Sequence, residues 1–382
     1  MNGFLPDKFP VSEYSFSSPS LSRLHQIANS LPKLLLTSRV RRTIDALKKD
    51  DLSIDELLAT GPEKDLRFAM VQLSFIAHAY IWGGSAAKGK LPEAVSKPWV
   101  QVAAVLGRPP ILSYASYCLD NWFLLDKEES ISLENVGLIT NFLGGIDEDW
   151  FVTVHVCIEN AASDAIRAAE AIAQCTAESD EQQVEALLKR IDQSLQKVNK
   201  IFLRMTERCN PYIYYHRVRP FIFGSKDNPA LVKGLVLENQ FNNKPQFLRG
   251  ETGAQSSIVP SLDGALCVKH SNDSLRHYLN EMRDYMPPEH RQFIKTIEES
   301  SQVKQLVHAS KDLKDSYNEC LEQIREFRSL HLKYADAYIN KQSQRKDPFG
   351  FGGGSTITGT GGTPFMSYLQ KHHDETEKQK VH

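Results

Sequence analysis

The sequence has no excess of charge of either sign. Its 382 residues include 45 Lys and Arg against 47 Asp and Glu, which gives a formal net charge of −2. Proteins that bind nucleic acid or anionic lipid through their overall field need a surplus of positive charge. The composition therefore predicts neither nucleic acid nor a membrane as a partner.

Closely spaced cysteines are also lacking, because no two of the six are separated by only two residues. Zinc ribbons and thioredoxin-like redox sites need such pairs, so both classes are excluded. Most of the cysteines lie in apolar stretches, which predicts buried free thiols in a reducing compartment. They are Cys118, Cys157, Cys175, Cys209, Cys267 and Cys320.

The chain has no apolar run long enough to cross a bilayer. Its most apolar stretch, 68–82, is interrupted by Gln72, Ser74 and His78, and it is shorter than the ~20 residues that a membrane span needs. The first residues lack the basic segment and apolar segment of a signal peptide. We therefore expect a cytoplasmic protein.

Several common catalytic motifs are missing as well. The sequence contains no GxxxxGK[ST], no HExxH and no GxSxG, so it predicts no P-loop, no zincin site and no hydrolase nucleophile elbow. The glycines of 359–362 follow a predicted helix and loop, whereas a dinucleotide-binding fingerprint follows a strand.

What the sequence has in abundance is helical periodicity. Apolar residues recur at steps of three and four, and the pattern predicts long helices over 66–82, 149–177, 180–209 and 311–340. No stretch shows the period of two that marks a strand. With 41% hydrophobic residues to fill a core, the sequence predicts an all-α fold.

Turn signals divide the chain into two predicted domains. Gly83 and Gly84 end the first long helix, and the Arg-Pro-Pro of 108–110 forces an extended break. We expect a small helical domain over 1–105 and a larger one over 106–382. Seven of the 21 glycines fall within 350–362, which predicts a mobile loop over 342–363.

A histidine on an apolar helix face is the first candidate for chemistry. His331 shares the apolar face of the 311–340 helix with Phe327 and Tyr334, and Arg328 lies one turn before it. A neutral imidazole in an apolar pocket suits the axial position of haem iron, and an arginine one turn away can pair with a haem propionate. A hydrogen-bonded core histidine would produce the same pattern.

His155 and Arg219 are further candidates. His155 lies beside Phe151 and Val152 on the 149–177 helix, where a core histidine is the alternative. Arg219 follows several aromatic residues that begin at Tyr214, an arrangement suited to an aromatic acid whose carboxylate the arginine holds. A surface arginine beside core tyrosines is the alternative there.

Six short motifs in one order resemble the indoleamine 2,3-dioxygenases, the haem enzymes that open the indole ring of tryptophan. The similarity extends from about Leu31 to Lys371. Its motifs are RPPILSY at 108–114, RP at 219–220, GAQSS at 253–257, YMPPEHR at 285–291, RSLH at 328–331 and GTGGT at 359–363.

This resemblance implies a cofactor and a set of site residues. It implies haem b with His331 as the proximal iron ligand, Arg328 at a propionate and Asp263 near that arginine. It also implies that Arg219 binds the substrate carboxylate and that Thr360, in the glycine loop, closes over the substrate. The small domain would cover the distal side. The distal pocket would be lined by Tyr114, Tyr117, Cys118, Phe151, Val152, Tyr214 and Gly253.

The chain departs from the mammalian members at two positions in that pocket. His155 stands where they have serine and resembles the active-site histidine of the related tryptophan 2,3-dioxygenases, which hydrogen-bonds the indole N–H. Tyr214 stands where phenylalanine is usual. We expect O₂ insertion into the indole C2–C3 bond of L-tryptophan or a related indole, giving N-formylkynurenine, with an electron donor that keeps the iron ferrous. The alternatives are a haem-binding paralogue that acts on another indole or senses haem, and a helical scaffold without a cofactor.

Overall fold

The computed structural model describes residues 3–6, 19–308, 310–344 and 365–381. The first part of the chain is helical, as predicted. Its helices are Pro19–Asn29, Leu31–Leu36, Val40–Asp45, Asp55–Thr60, Glu63–Trp82 and Glu93–Val105.

The part of the chain after residue 105 is helical too, which confirms the all-α prediction. Its α-helices are Ile146–Ala161, Ser163–Ile172, Glu181–Leu203, Pro211–Ile213, Ile258–Ala265, Ser274–Arg283, Pro288–Ser300, Val303–Leu306, Lys311–Ala335, Lys341–Ser343 and Phe365–Glu377. Wider π-helical turns occur at Ala115–Leu119, Tyr214–Val218 and Asp336–Asn340. Tighter 3₁₀ turns occur at Arg204–Glu207, Arg219–Ile222, Pro229–Leu231, Phe241–Asn243 and Gly253–Gln255.

Two small strand pairs were not predicted. Lys90–Leu91 pairs in parallel with Val236–Leu237, and Trp122–Leu124 pairs in an antiparallel way with Val136–Leu138. Strands of two or three residues are too short to display a period of two, so the hydrophobic pattern could not reveal them.

The long predicted helix over 149–177 is in fact two helices that meet at Ala162. Ser194 of a neighbouring helix supplies the reason, because its hydroxyl donates to the Ala161 carbonyl at 2.7 Å and accepts from the Ala165 amide at 3.1 Å. A side chain inserted into the ladder of backbone hydrogen bonds is a common cause of a helix break. The break depends on a partner 29 residues away from Ala165 and therefore has no local sequence signal.

The other predicted helices are close to those observed. The 66–82 prediction is confirmed by Glu63–Trp82, and the 180–209 helix ends at Leu203 before a 3₁₀ turn. After Lys311–Ala335 the chain remains helical to Ser343, so the first residues of the predicted glycine loop are helical. The rest of that loop, including Thr360, lies outside the described residues.

Helix Lys311–Ala335 forms the centre of the larger part of the molecule, since it packs against both Glu181–Leu203 and Phe365–Glu377. Helix Glu63–Trp82 is buried on almost every side. One apolar cluster connects the two regions, and the domain boundary predicted near residue 105 stays a prediction.

Two further observations concern the composition. Within the described ranges, no helix combines the length and apolar content that a membrane crossing requires. All six cysteines are free thiols, and five of them are buried, Cys267 being the half-buried exception.

Candidate active site

A cavity of about 1040 Å³ lies between helices Ile146–Ala161, Glu181–Leu203 and Lys311–Ala335. Residues of the stretches 214–219, 251–270, 275–308 and 368–372 also line it. The cavity brings together residues predicted from widely separated motifs. The predicted residues that line it are Tyr114, Phe151, His155, Tyr214, Arg219, Gly253, Asp263, Arg328 and His331.

Three predicted pocket residues lie one layer behind the cavity wall. Tyr117, Cys118 and Val152 are buried in the core and are not among the residues that line the cavity. One residue along a helix turns the side chain by about 100°, so Val152 points away from the space that Phe151 faces. Tyr117 and Cys118 belong to a π-helical turn whose side chains are all buried.

His331 lines the cavity and differs from a core histidine that is satisfied by hydrogen bonds. Neither of its ring nitrogens hydrogen-bonds to another of the described residues, and its ring lies edge-on to Phe202 and Phe327 at 6.2 and 6.3 Å. Burial, with a smaller contribution from His155, lowers the pKa of His331 to about 4. The imidazole is therefore neutral and has a lone pair for a metal.

Arg328 is fixed beside His331 by a buried ion pair. Its guanidinium donates to both carboxylate oxygens of Asp263, at 3.0 and 2.7 Å. It also donates to the Thr376 hydroxyl and, at 3.3 Å, to the His372 carbonyl of the last helix. The arginine is only 3% exposed and still lines the cavity, so its orientation is set before any ligand arrives.

The hydrogen-bond network continues behind this pair. His270 donates from Nδ1 to Glu375 at 2.7 Å and contacts Asp263 through Nε2 at 3.0 Å. Burial opposes the charged imidazole, but the Asp263 carboxylate more than offsets it and raises the pKa of His270. For Asp263, the opposing effect of burial is outweighed by Arg328 and His270, which hold its pKa well below the usual range. His270, His372 and Glu375 also offer ligand atoms within 4.8 Å of one another, so they could hold a metal ion.

Another wall of the cavity carries His155, which lies on helix Ile146–Ala161. Its Nδ1 lies 2.8 Å from the Phe151 carbonyl. A carbonyl can only accept, so Nδ1 carries the proton and Nε2 of the neutral ring is an acceptor. Burial lowers the pKa of His155, which favours that neutral form. The ring lies 4.4 Å from Phe151 and 5.9 Å from Tyr114.

Arg219 lies on the same wall, at the start of a 3₁₀ turn that follows the π-helical turn Tyr214–Val218. Its side chain is 1% exposed, and its guanidinium lies 5.3 Å from the Tyr215 ring and 4.7 Å from the Phe223 ring. Aromatic faces stabilise a guanidinium cation. This arrangement presents a positive charge at the cavity surface within a mainly aromatic environment.

Two buried carboxyl groups in this part of the molecule, those of Glu251 and Glu159, were not predicted from the sequence. Glu251 lines the cavity and is 3% exposed, and burial raises its pKa to about 8. Glu159 lies one turn after His155 and accepts hydrogen bonds from Tyr114 and Ser256, both at 2.9 Å. Burial raises the pKa of Glu159 to about 7. The signal for Glu251 was its position two residues before Gly253, and the signal for Glu159 was its spacing of four from His155.

The cavity surface around His331 and Arg328, the His331 wall, fits a haem. It includes the His331 imidazole, whose ring has no hydrogen-bond partner among the described residues, and an arginine fixed within one helical turn of it. Apolar and aromatic side chains surround these two groups. They are Leu195, Val198, Phe202, Met205, Ile324 and Phe327.

Comparisons with known proteins extend over nearly the whole chain. The family profile described as indoleamine 2,3-dioxygenase matches residues 1–379. The chain is 34% identical to indoleamine 2,3-dioxygenase 1 of Rattus norvegicus over 362 residues, which are 92% of this chain and 88% of the relative. It is 30% identical to indoleamine 2,3-dioxygenase of Saccharomyces cerevisiae over 417 residues, with 98% and 90% covered. It is also 30% identical to a protein named myoglobin from Haliotis madaka over 359 residues, with 93% and 90% covered. The matched range includes every helix and segment that lines the cavity.

Proposed function

The chain belongs to the indoleamine 2,3-dioxygenase family, and from that premise we propose that it cleaves the indole ring of L-tryptophan with O₂. The reaction adds both oxygen atoms across the indole C2–C3 bond and gives N-formylkynurenine. Haem b is the cofactor of this chemistry, and when bound it supplies the ferrous iron that activates O₂. The protein supplies ligation, orientation and the exclusion of water.

His331 is the proposed iron ligand. The support is its lowered pKa and the absence of a hydrogen bond from its ring to the other described residues. Arg328 is the proposed partner of a haem propionate. Its support is a position on the cavity surface and the hydrogen bonds from Nη2 to both carboxylate oxygens of Asp263, which fix the guanidinium in place.

Arg219 is the proposed partner of the substrate carboxylate. A buried guanidinium binds a carboxylate strongly because its two parallel N–H groups match the two oxygens. Tyr114, Phe151 and Tyr214 are proposed to pack against the indole, and Gly253 leaves room beside it. The support is that all four line the cavity together with Arg219.

His155 is proposed to accept the hydrogen bond of the indole N–H through Nε2. The hydrogen bond from Nδ1 to the Phe151 carbonyl supports this tautomer. In this role His155 orients the ring and holds no proton that the reaction requires. Thr360, which lies outside the described residues, is proposed to close over the bound amino acid.

Further aspects of the proposal concern the cellular setting. A ferrous iron needs an electron donor, and six free thiols are compatible with a reducing compartment. We place the protein in the cytoplasm, with no nucleic acid and no membrane as partners. The near-neutral net charge supports this setting.

The observation that carries the proposal is the convergence of His331, Arg328 and Arg219 on one cavity in a chain of this family. The test is anaerobic reduction of the haem-loaded protein, addition of tryptophan and then O₂. We expect the near-ultraviolet absorbance of N-formylkynurenine to grow over many turnovers. Haem that binds O₂ reversibly while tryptophan remains intact would contradict the proposal.

That contradictory result defines a second candidate, an oxygen-binding haem protein without dioxygenase activity. The similarity to a protein named myoglobin supports it. So does the neutral His155 on another wall of the same cavity, because an imidazole can hydrogen-bond a polar ligand of iron as well as an indole. The same turnover experiment separates the two functions.

A further inference from the structure

The cavity surface that includes Arg219, Tyr214 and Glu251 is the Arg219 wall, and it carries a carboxyl group as well as a guanidinium. Glu251 and Arg219 are 3% and 1% exposed, and both line the cavity. Both charges act on the Tyr214 hydroxyl, the carboxylate raising its pKa and the guanidinium lowering it, in addition to the larger effect of burial. Tyr214 itself lines the same cavity.

The backbone fixes Glu251 relative to the segment that carries Arg219. Its amide donates to the Ile222 carbonyl at 3.0 Å, three residues after Arg219. Immediately before it, Gly250 crosses Gly224 so closely that a Cβ on Gly250 would lie 2.3 Å from the Gly224 nitrogen. Two glycines are needed at this crossing, and they hold the Glu251 backbone against residues 222–224.

A second contact fixes Glu251 relative to the aromatic wall. The Gln255 side chain donates to the Gly250 carbonyl at 2.9 Å and accepts from the Tyr114 amide at 2.9 Å. The segment that carries Glu251 is thereby tied to Tyr114, which also lines the cavity. The backbone that carries the Glu251 carboxyl group is thus held from two sides.

A carboxylate at a buried cavity surface stabilises a cation that enters the cavity. An amino acid brings one carboxylate and one ammonium group, and the backbone that carries the Glu251 carboxyl group is held three residues from Arg219 in the same cavity wall. We infer that Glu251 binds the ammonium group of the substrate, so that the site selects indoles that carry a primary amine. This inference rests on the proposed function, because it assigns Arg219 to the substrate carboxylate.

The test compares three ligands of the haem-loaded protein by calorimetric titration. L-Tryptophan has both charged groups, tryptamine lacks the carboxylate and indole-3-propionate lacks the ammonium. Glu251→Gln keeps the shape of the side chain and cannot form a carboxylate when a cation binds. Glu159→Gln is the matched control, since Glu159 is a buried acid near the same wall whose carboxyl lies behind Tyr114 and Ser256.

We expect Glu251→Gln to weaken the binding of tryptophan and of tryptamine by at least about thirtyfold. A loss of this size is typical when one partner of a buried charge pair is removed. Indole-3-propionate should bind as well as before or better. The Glu159→Gln control should change the three affinities by similar factors.

Three results would overturn the inference. They are unchanged binding of tryptophan and tryptamine by Glu251→Gln, an equal loss for all three ligands, and no binding of any of them by the parent. The dioxygenase proposal is judged separately, by N-formylkynurenine formation in the parent. If binding depended on the amine but the parent formed no product, the Glu251 assignment would stand and the proposed function would fail. If the parent formed product but Glu251→Gln weakened the binding of all three ligands equally, the proposed function would stand and the Glu251 assignment would fail.

Discussion

The two walls of the cavity handle charge in different ways. On the His331 wall, Arg328 is held by Asp263 and by the last helix, and His331 is a neutral imidazole. On the Arg219 wall, a guanidinium and a carboxyl group are buried at the cavity surface among aromatic rings. The first wall suits a large apolar cofactor with acidic edges, and the second suits a small zwitterion with an aromatic ring.

The comparison predicts a strong effect on stability from the His331 wall. Asp263→Asn leaves Arg328 buried without its carboxylate, and breaking such a pair costs about 3 to 5 kcal/mol. We expect that loss in the free energy of unfolding, measured with urea at pH 7. The exposed Asp284→Asn is the control and should change little.

The pH dependence of this loss has a definite sign. The pKa of Asp263 in the folded protein is below its unfolded value. The contribution of the Asp263–Arg328 pair to the free energy of unfolding is therefore present above about pH 4 and decreases as the pH falls further. A loss no larger than that of Asp284→Asn, or one independent of pH, would mean that the pair does not hold this wall together.

The next prediction is that a change on the Arg219 wall affects the binding of tryptophan and leaves the binding of haem unchanged. Arg219→Leu removes the partner of the substrate carboxylate, and we expect tryptophan to bind about 2 to 4 kcal/mol more weakly with haem content unchanged. The neighbouring Arg217→Leu is the control, because Arg217 does not line the cavity. If Arg219→Leu bound tryptophan as well as the parent does, Arg219 would not be the partner of the substrate carboxylate.

A third prediction concerns the acid behind the Arg219 wall. The folded pKa of Glu159 is raised to about 7, above an unfolded value of about 4.3. The folded state therefore keeps a proton that the unfolded state loses, and stability falls as pH rises from about 5 to 7. Relative to Glu159→Gln, the parent should lose up to about 1.4 kcal/mol per pH unit in urea unfolding. Parallel pH profiles would show that Glu159 is already ionised in the folded protein.

The smallest effect is expected at His155. 1-Methyltryptophan has no indole N–H to donate, and its methyl group would crowd the His155 ring, so the parent should use it poorly. His155→Ser should narrow the difference in kcat/KM between tryptophan and the methylated compound by about tenfold, the worth of one hydrogen bond and some relieved crowding. The ratio within each protein cancels general losses of activity. An unchanged ratio would remove His155 from the indole site.

The sequence predicted the helices better than it predicted which histidines matter. His78, His155 and His331 all lie on apolar helix faces, and their local patterns are alike. His78 is satisfied by the Phe221 carbonyl at 2.7 Å and the Leu112 amide at 3.1 Å, partners 143 and 34 residues away. His331 has no such partner among the described residues, a difference that only the fold makes visible.

The same limit explains the pocket residues. Motif order identified the segments that reach the cavity, but it could not tell which side chain of a segment faces inward. Val152 points away although Phe151 lines the wall, and Glu251 lines the wall although only Gly253 was predicted. The direction of a side chain in a π-helical turn or an irregular stretch depends on contacts that are distant in sequence.

The most direct test of the division between the two walls is haem retention by His331→Ala and His155→Ala, read from the Soret spectrum after gel filtration. We expect His331→Ala to lose haem or show a non-imidazole spectrum, and added free imidazole to restore the parent's spectrum. His155→Ala should keep its haem with the proximal ligation unchanged. Stoichiometric haem with an unaltered spectrum in His331→Ala, or an equal loss in both variants, would contradict the assignment of the cofactor to the His331 wall.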